Sequence, residues 1–146
     1  MRTSDPHIFA AGDVAEFNNK VYGLWPVAVG QAEVAAANAV ASAEATSATY
    51  TETPPVTMLK VAGIDITSIG RIKPQSDGEI VVALEDTAEH RYRKLIIAEG
   101  KIVGAILLGY PEEAPGVTAA IKQQYEVTPY LTALQSGDWE SLRALA

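Results

Sequence analysis

The sequence predicts an α+β fold, an antiparallel sheet of about five strands with helices on one side, preceded by a separate strand-loop-helix segment. Three observations point there. Between residues 57 and 108 apolar, β-rich runs alternate with short turn clusters; beyond Tyr110-Pro111 the apolar residues switch to helical spacing; and an alanine-rich stretch near the start is cut off by a Ser/Thr/Pro-rich segment.

The first element is the apolar run Ile8 to Ala11, which follows the turn Ser4-Asp5-Pro6 and suits a buried strand ending at Gly12-Asp13. A small residue beside a carboxylate at the end of a strand is where α/β folds present ligand groups, because glycine admits a close approach and aspartate accepts hydrogen bonds. The plainer alternative for Asp13 is a strand-end residue that caps the next turn. Val14 to Gly23 reads as a loop from its Asn18-Asn19 and Gly23 signals. A helix is expected from about Pro26 to Ala45, since alanine favours helix and proline is accepted in a first turn. Its expected packing face is Val27, Gly30, Val34, Ala37 and Ala41, with Gln31, Glu33, Asn38 and Ser42 on the other faces.

Residues 46–55, with Pro54-Pro55, form the expected linker between a first segment at 1–45 and a second domain at 56–146. Thr57 to Gly70 is β-rich and broken at Gly63. After the turn cluster Pro74 to Gly78, the run Glu79 to Glu85 is apolar enough to suggest a central strand. Tyr92 to Ala98 and Lys101 to Leu108 are joined by Glu99-Gly100, a two-residue connection that predicts a tight hairpin. Helices are expected over Thr118 to Tyr125, Pro129 to Gln135 behind a Thr128 cap, and Asp138 to Ala146 capped by Asp138. Leu131, Leu134, Trp139, Leu142 and Leu145 supply an apolar set able to cover one sheet face.

Composition narrows the function. The net charge of −7 and the scarcity of Lys and Arg argue against nucleic acid or an anionic membrane as partner. The absence of Cys excludes disulfides, thiolate metal sites and a redox-active cysteine pair within these residues. No apolar run has the length of a membrane span and the N-terminus has no signal-peptide pattern, so a cytoplasmic location is expected. His7 and His90 lack companions at metal-ligand spacing, and no metal site is expected. Ser68, Asp65 and His90 could be drawn as a triad, but no nucleophile elbow surrounds any serine. Glu112-Glu113 and Glu85-Asp86 read as solvated carboxylates, leaving no catalytic residue to name. There is no Gly-x-Gly-x-x-Gly loop.

One phrase goes further. Thr3-Ser4-Asp5-Pro6-His7-Ile8-Phe9-Ala10-Ala11-Gly12-Asp13 resembles the second flavin-binding signature of the FAD-dependent pyridine nucleotide-disulfide oxidoreductases, Thr-x-x-Pro-x-Ile-(Phe/Tyr)-Ala-x-Gly-Asp. A second phrase, Leu59-Lys60-Val61 with Gly63-Ile64-Asp65 and Ser68-Ile69-Gly70, is similar to the opening of the C-terminal domain in the rubredoxin reductase and NAD(P)H nitrite reductase branch. The resemblance implies that Asp13 binds the ribityl and pyrophosphate part of FAD, that Gly12 makes room for it, and that Leu24, Trp25 and Pro26 start a helix beneath the isoalloxazine ring. For Trp25 the alternative of a hydrophobic anchor against the sheet stays open.

By the same resemblance the chain is the C-terminal fragment of an enzyme that passes electrons from NAD(P)H through FAD to an acceptor, one of rubredoxin, nitrite, oxygen and a disulfide. Residues 1–45 are then a remnant of the FAD-binding domain, and 56–146 an interface domain that mediates a homodimer. The fragment alone is expected to be inactive and to bind neither cofactor. The other reading is a stand-alone, non-catalytic module for dimerisation or for docking a redox partner.

Overall fold

The computed structural model describes residues 1–41, 47–52 and 54–145. The chain divides into two compact units, Met1–Pro55 and Val56–Ala146.

The first unit is built around helix α1, Trp25–Val40. Ile8 to Ala11 is not a strand: Phe9 makes a single antiparallel bridge to Arg2, with the Thr3 N–H donating to the Ile8 carbonyl at 2.9 Å. An apolar run becomes a strand only when a ladder satisfies its backbone, and here its partner among the described residues is the short returning segment before the Asp5 turn. Gly12–Val14 follows as one turn of 3₁₀ helix. Helix α1 starts one residue before the expected Pro26 and ends at Val40, and the expected continuation over Ser42 to Ala45 lies outside the described residues.

The buried stripe of α1 also differs from the expected one. It runs through Val27, Gln31 and Asn38, so two polar residues lie inside. Each is satisfied by irregular backbone packed on the helix: Gln31 Oε1 accepts the Gly12 N–H at 2.8 Å, and the Asn38 amide donates to and accepts from Ala48, both at 2.8 Å. Residues 47–52 therefore pack within this unit. Tyr50 is buried, edge-on to Phe17 with ring centroids 5.0 Å apart, and Glu52 takes hydrogen bonds from Lys20, Tyr22 and Asn18.

The second unit is an antiparallel sheet of strands β1 (Val56–Val61), β2 (Ile64–Gly70), β3 (Ile80–Asp86), β4 (Arg91–Ala98) and β5 (Lys101–Leu108), in the spatial order β1-β2-β5-β4-β3. Its tight turns sit where the sequence has Ala62-Gly63 and Glu99-Gly100, all four residues at positive φ, the geometry that matches the twist of a two-residue hairpin. The strand expected to be central, β3, lies at an edge: it pairs only with β4, and Ile80 and Val81 stay 39% and 43% exposed. Its inward residue Val82 is buried, so the apolar run reflects the face toward the helices and not a neighbour on each side.

Helices α2 (Ala114–Lys122), α3 (Leu131–Ser136) and α4 (Glu140–Arg143) cover one face of the sheet. The core joins Ile69, Leu95, Ala105 and Leu107 of the strands to Val117, Leu134, Trp139 and Leu142. Helix α2 begins four residues earlier than expected, because Pro115 sits in the first turn, where proline is tolerated, and Gly116 lets the helix approach the Leu142 backbone, which a Cβ there would strike. Thr128 does not cap α3: it begins a 3₁₀ turn, Thr128–Tyr130, and its hydroxyl donates to Glu126. Asp138 does serve α4, accepting the Glu140 N–H at 3.1 Å, while Ala146 lies outside the described residues.

Candidate functional site

Gly12 adopts φ +77°, a left-handed conformation that suits glycine. Its N–H is held by Gln31, its carbonyl accepts the Ala15 N–H at 2.9 Å, and a Cβ on it would meet the Ala28 methyl at 3.4 Å. The Gly12–Val14 turn is thereby seated on α1. Asp13 follows with its side chain exposed, and the turn has no side-chain cap. The alternative in which Asp13 caps the next turn therefore does not describe it. Its carboxylate is an acceptor facing solvent, with no hydrogen bond to any described residue.

Leu24, in extended conformation, precedes α1, and its carbonyl accepts the Ala28 N–H at 3.0 Å. Trp25 is the first helical residue and Pro26 the second, so proline removes one of the amides that a first turn leaves unpaired. Trp25 is 81% exposed, and Val14 beside Asp13 is 84% exposed. Within this unit Trp25 is not packed as an anchor. The first unit thus has an exposed carboxylate, an exposed indole and a helix N-terminus, groups able to take hydroxyl donors and an aromatic or electron-rich ring.

Gln31 was missed as part of this arrangement. The signal was a lone amide four residues after the buried Val27 in a stripe of Ala and Val, but its partner, the Gly12 backbone, lies 19 residues away.

The second unit has one concentrated polar cluster. Glu113, expected to be solvated, is 1% exposed, contrary to that reading. It sits against Arg93 and accepts from Arg143 at 3.1 Å. Arg93 also donates to the Gly137 carbonyl at 2.7 Å and lies over the rings of Tyr110 and Trp139, 4.8 and 4.5 Å from their centroids. Burial pushes the Glu113 carboxyl up, against the opposing pull of Arg93 and Arg143. The cluster ties β4 to the helices, and Arg93 also lines a concavity of ≈ 350 Å³ with Glu85, Asp86, Tyr110 and Gly137. Ser68, Asp65 and His90 form no hydrogen-bonded triad among the described residues. A concavity of ≈ 470 Å³ in this unit is lined by Asp65, Glu89, His90, Arg91 and Glu112, among others. Among the described residues no three His, Cys, Asp or Glu groups are placed to hold a metal ion, and no helix is long and apolar enough to cross a membrane.

Residues 55–125 match the family described as the rubredoxin NAD+ reductase C-terminal domain. Those residues belong to that family. The sheet and helix α2 of the second unit are thus a rubredoxin reductase C-terminal domain, and the likeness extends beyond it. The chain is similar to the NADH-rubredoxin oxidoreductase of Clostridium acetobutylicum, 38% identical over 109 residues that make up 75% of this chain and 27% of the relative. It is similar also to the assimilatory nitrate reductase electron transfer subunit of Bacillus subtilis, 29% identical over 88% of this chain and 16% of the relative. The nitrite reductase (NADH) large subunit of Escherichia coli is 31% identical over 74% of this chain and 12% of the relative. The chain therefore spans about a quarter or less of the length of these relatives. The crystal structure of NADH:rubredoxin oxidoreductase from C. acetobutylicum superposes with a TM-score of 0.63 at 35% identity, covering 88% of this chain and 32% of that one. The rubredoxin reductase C-terminal domain carries none of Gly12, Asp13, Leu24, Trp25 and Pro26, which all lie in the first unit.

Proposed function

We propose that this chain is part of an FAD-dependent oxidoreductase that draws electrons from NAD(P)H, with the first unit supplying one wall of the flavin site and the second serving as an interface domain. The carrying observation is the Gly12–Val14 turn seated on α1, which leaves the Asp13 carboxylate and the Trp25 indole exposed on the same unit. The residues present fit the group: an unpaired carboxylate accepts from the hydroxyls of a ribityl chain, and a helix N-terminus favours the negative charge of a reduced ring. FAD, when bound, accepts hydride from the nicotinamide and releases electrons to the acceptor. Asp13 holds the sugar-like chain, Gly12 keeps the approach clear of a side chain, and Leu24, Trp25 and Pro26 form the floor and shield it from water. No residue of this chain is assigned a proton-transfer role.

The relatives named for NADH, rubredoxin and nitrite support the electron-transfer reading, and the acceptor is a further protein or small molecule of the longer enzyme. For the second unit, edge strand β1 leaves Met58, Leu59 and Val61 64%, 54% and 56% exposed, an apolar edge suited to a second copy. Sedimentation that shows only monomer for both the chain and the longer enzyme would remove the homodimer from this proposal.

The decisive test replaces Asp13 by Ala in the longer enzyme. A charge-assisted hydrogen bond is worth roughly 1.5–3 kcal/mol, so flavin should be held roughly ten- to a hundredfold more weakly. Asp65→Ala and Glu112→Ala should leave the flavin content unchanged. Full flavin retention by Asp13→Ala would refute the assignment.

A further inference from the structure

We infer that Gln31 is the positioning residue of the flavin-binding turn: its buried side-chain oxygen clamps the Gly12 N–H, so that Asp13 and the N-terminus of α1 are presented to the cofactor as one rigid element. The inference rests on the proposed flavin reading and deepens it by naming what sets the geometry of that site.

Gln31 is 1% exposed. A buried amide is costly unless it is hydrogen-bonded, and the bond that Gln31 makes is not to its own helix but to Gly12, at 2.8 Å. Gly12 is the one residue of the turn in a left-handed conformation, φ +77°. Its N–H goes to Gln31, its carbonyl takes Ala15, and its Cα packs toward Ala28. With both peptide groups of Gly12 fixed, the direction in which Asp13 leaves the turn is fixed too.

The other half of the proposed site starts at Trp25, six residues before Gln31 on the same helix, about 9 Å along its axis at the usual rise. A single side chain thus sets the distance between the carboxylate and the helix N-terminus, although neither group touches it. The clamp also has a chemical consequence. The Gly12 amide is already spent on Gln31 and is not offered to a ligand, while the exposed Asp13 carboxylate is an acceptor for hydroxyl groups.

The test uses Gln31→Met, which keeps the volume and loses the acceptor, beside Gln31→Glu, which keeps an acceptor. In the longer enzyme, apoprotein is titrated with FAD and the flavin fluorescence followed. In this chain, exchange of the Gly12 amide is read by NMR. Gln31→Met should raise the FAD dissociation constant about tenfold, the size expected when one buried donor loses its partner, and should speed Gly12 exchange by a similar factor. Gln31→Glu should recover most of the affinity. A Gln31→Met enzyme that melts earlier but binds FAD as tightly as the parent would show a purely structural role and overturn the inference. If Asp13→Ala weakens FAD and Gln31→Met does not, only the positioning role fails; if neither weakens it, the flavin reading falls as well. Should Gln31→Met not fold, Gln31→Leu removes the same acceptor, and an unchanged FAD affinity there overturns the proposal.

Discussion

Removing Glu113 should damage the second unit far more than removing its half-exposed partner Arg143. Glu113 is 1% exposed and lies between Arg93, whose side chain is 11% exposed, and Arg143, at 45%. Glu113→Ala leaves the Arg93 guanidinium buried with the Gly137 carbonyl as its remaining hydrogen-bond partner. Breaking a buried pair from one side costs about 3–5 kcal/mol, whereas loss of a half-exposed charge costs about 1 or less. The expected order is therefore Glu113→Ala well below Arg143→Ala in stability. The first loss is a large fraction of the roughly 5–15 kcal/mol that holds a domain together. Urea unfolding followed by tryptophan fluorescence isolates this unit, because Trp139 is 1% exposed and Trp25, already 81% exposed, changes little on unfolding. With a slope near 2 kcal/mol per molar, the midpoint for Glu113→Ala should fall by roughly 2 M. Burial already pushes the Glu113 carboxyl up against both arginines, so the double change Arg93→Met with Glu113→Leu should cost less than Glu113→Ala alone. Equal midpoints for Glu113→Ala and Arg143→Ala would refute the reasoning.

Gly104→Ala should destabilise the sheet by about 1–3 kcal/mol in the same urea assay, since a Cβ there runs into the Arg71 backbone that crosses the sheet; Gly78, with open space around it, serves as the control. Hydrogen bonds from Lys20 and Tyr22 hold the Glu52 carboxyl down to about 2 from 4.5. Its contribution to the first unit is present above the unfolded value and is lost as pH falls from 4.5 toward about 2. Amide exchange over residues 17–22 and 48–52 should accelerate in that window, and Glu52→Gln should flatten the dependence. Titrating FAD into the isolated chain should give no complex in the micromolar range, about 8 kcal/mol, because no Gly-rich loop is present to cradle the pyrophosphate; a stoichiometric complex would overturn the reading of this chain as one wall of a larger site.

What the sequence made legible and what it hid divide along a physical line. The Glu99-Gly100 hairpin could be read because its two residues solve a local problem, a reversal that needs positive φ, with local means, whereas Ala62-Gly63 does the same but showed only as a break at Gly63. The short helix α3 could be placed because Leu131 and Leu134 fall three residues apart, on one helical face. Edge and centre could not be told apart for β3, since an apolar run records only that one face is covered, and the identity of its lateral neighbours depends on β5 inserting between β2 and β4. The polar residues were misread for a sharper reason. Gln31 and Asn38 were placed off the packing face and Glu113 in solvent, and each is buried where a distant group completes it: the Gly12 amide, the Ala48 backbone and, with Arg143, Arg93. Burying a polar group is favourable only with that partner in place, and the partner stands 19, 10 and 20 residues away. Apolar burial is proportional to area and leaves a periodic trace, while polar burial is a pairwise event and leaves none. The residues hidden from a sequence reading are for that reason the ones that fix geometry, and in the first unit the geometry so fixed is that of the turn carrying Asp13.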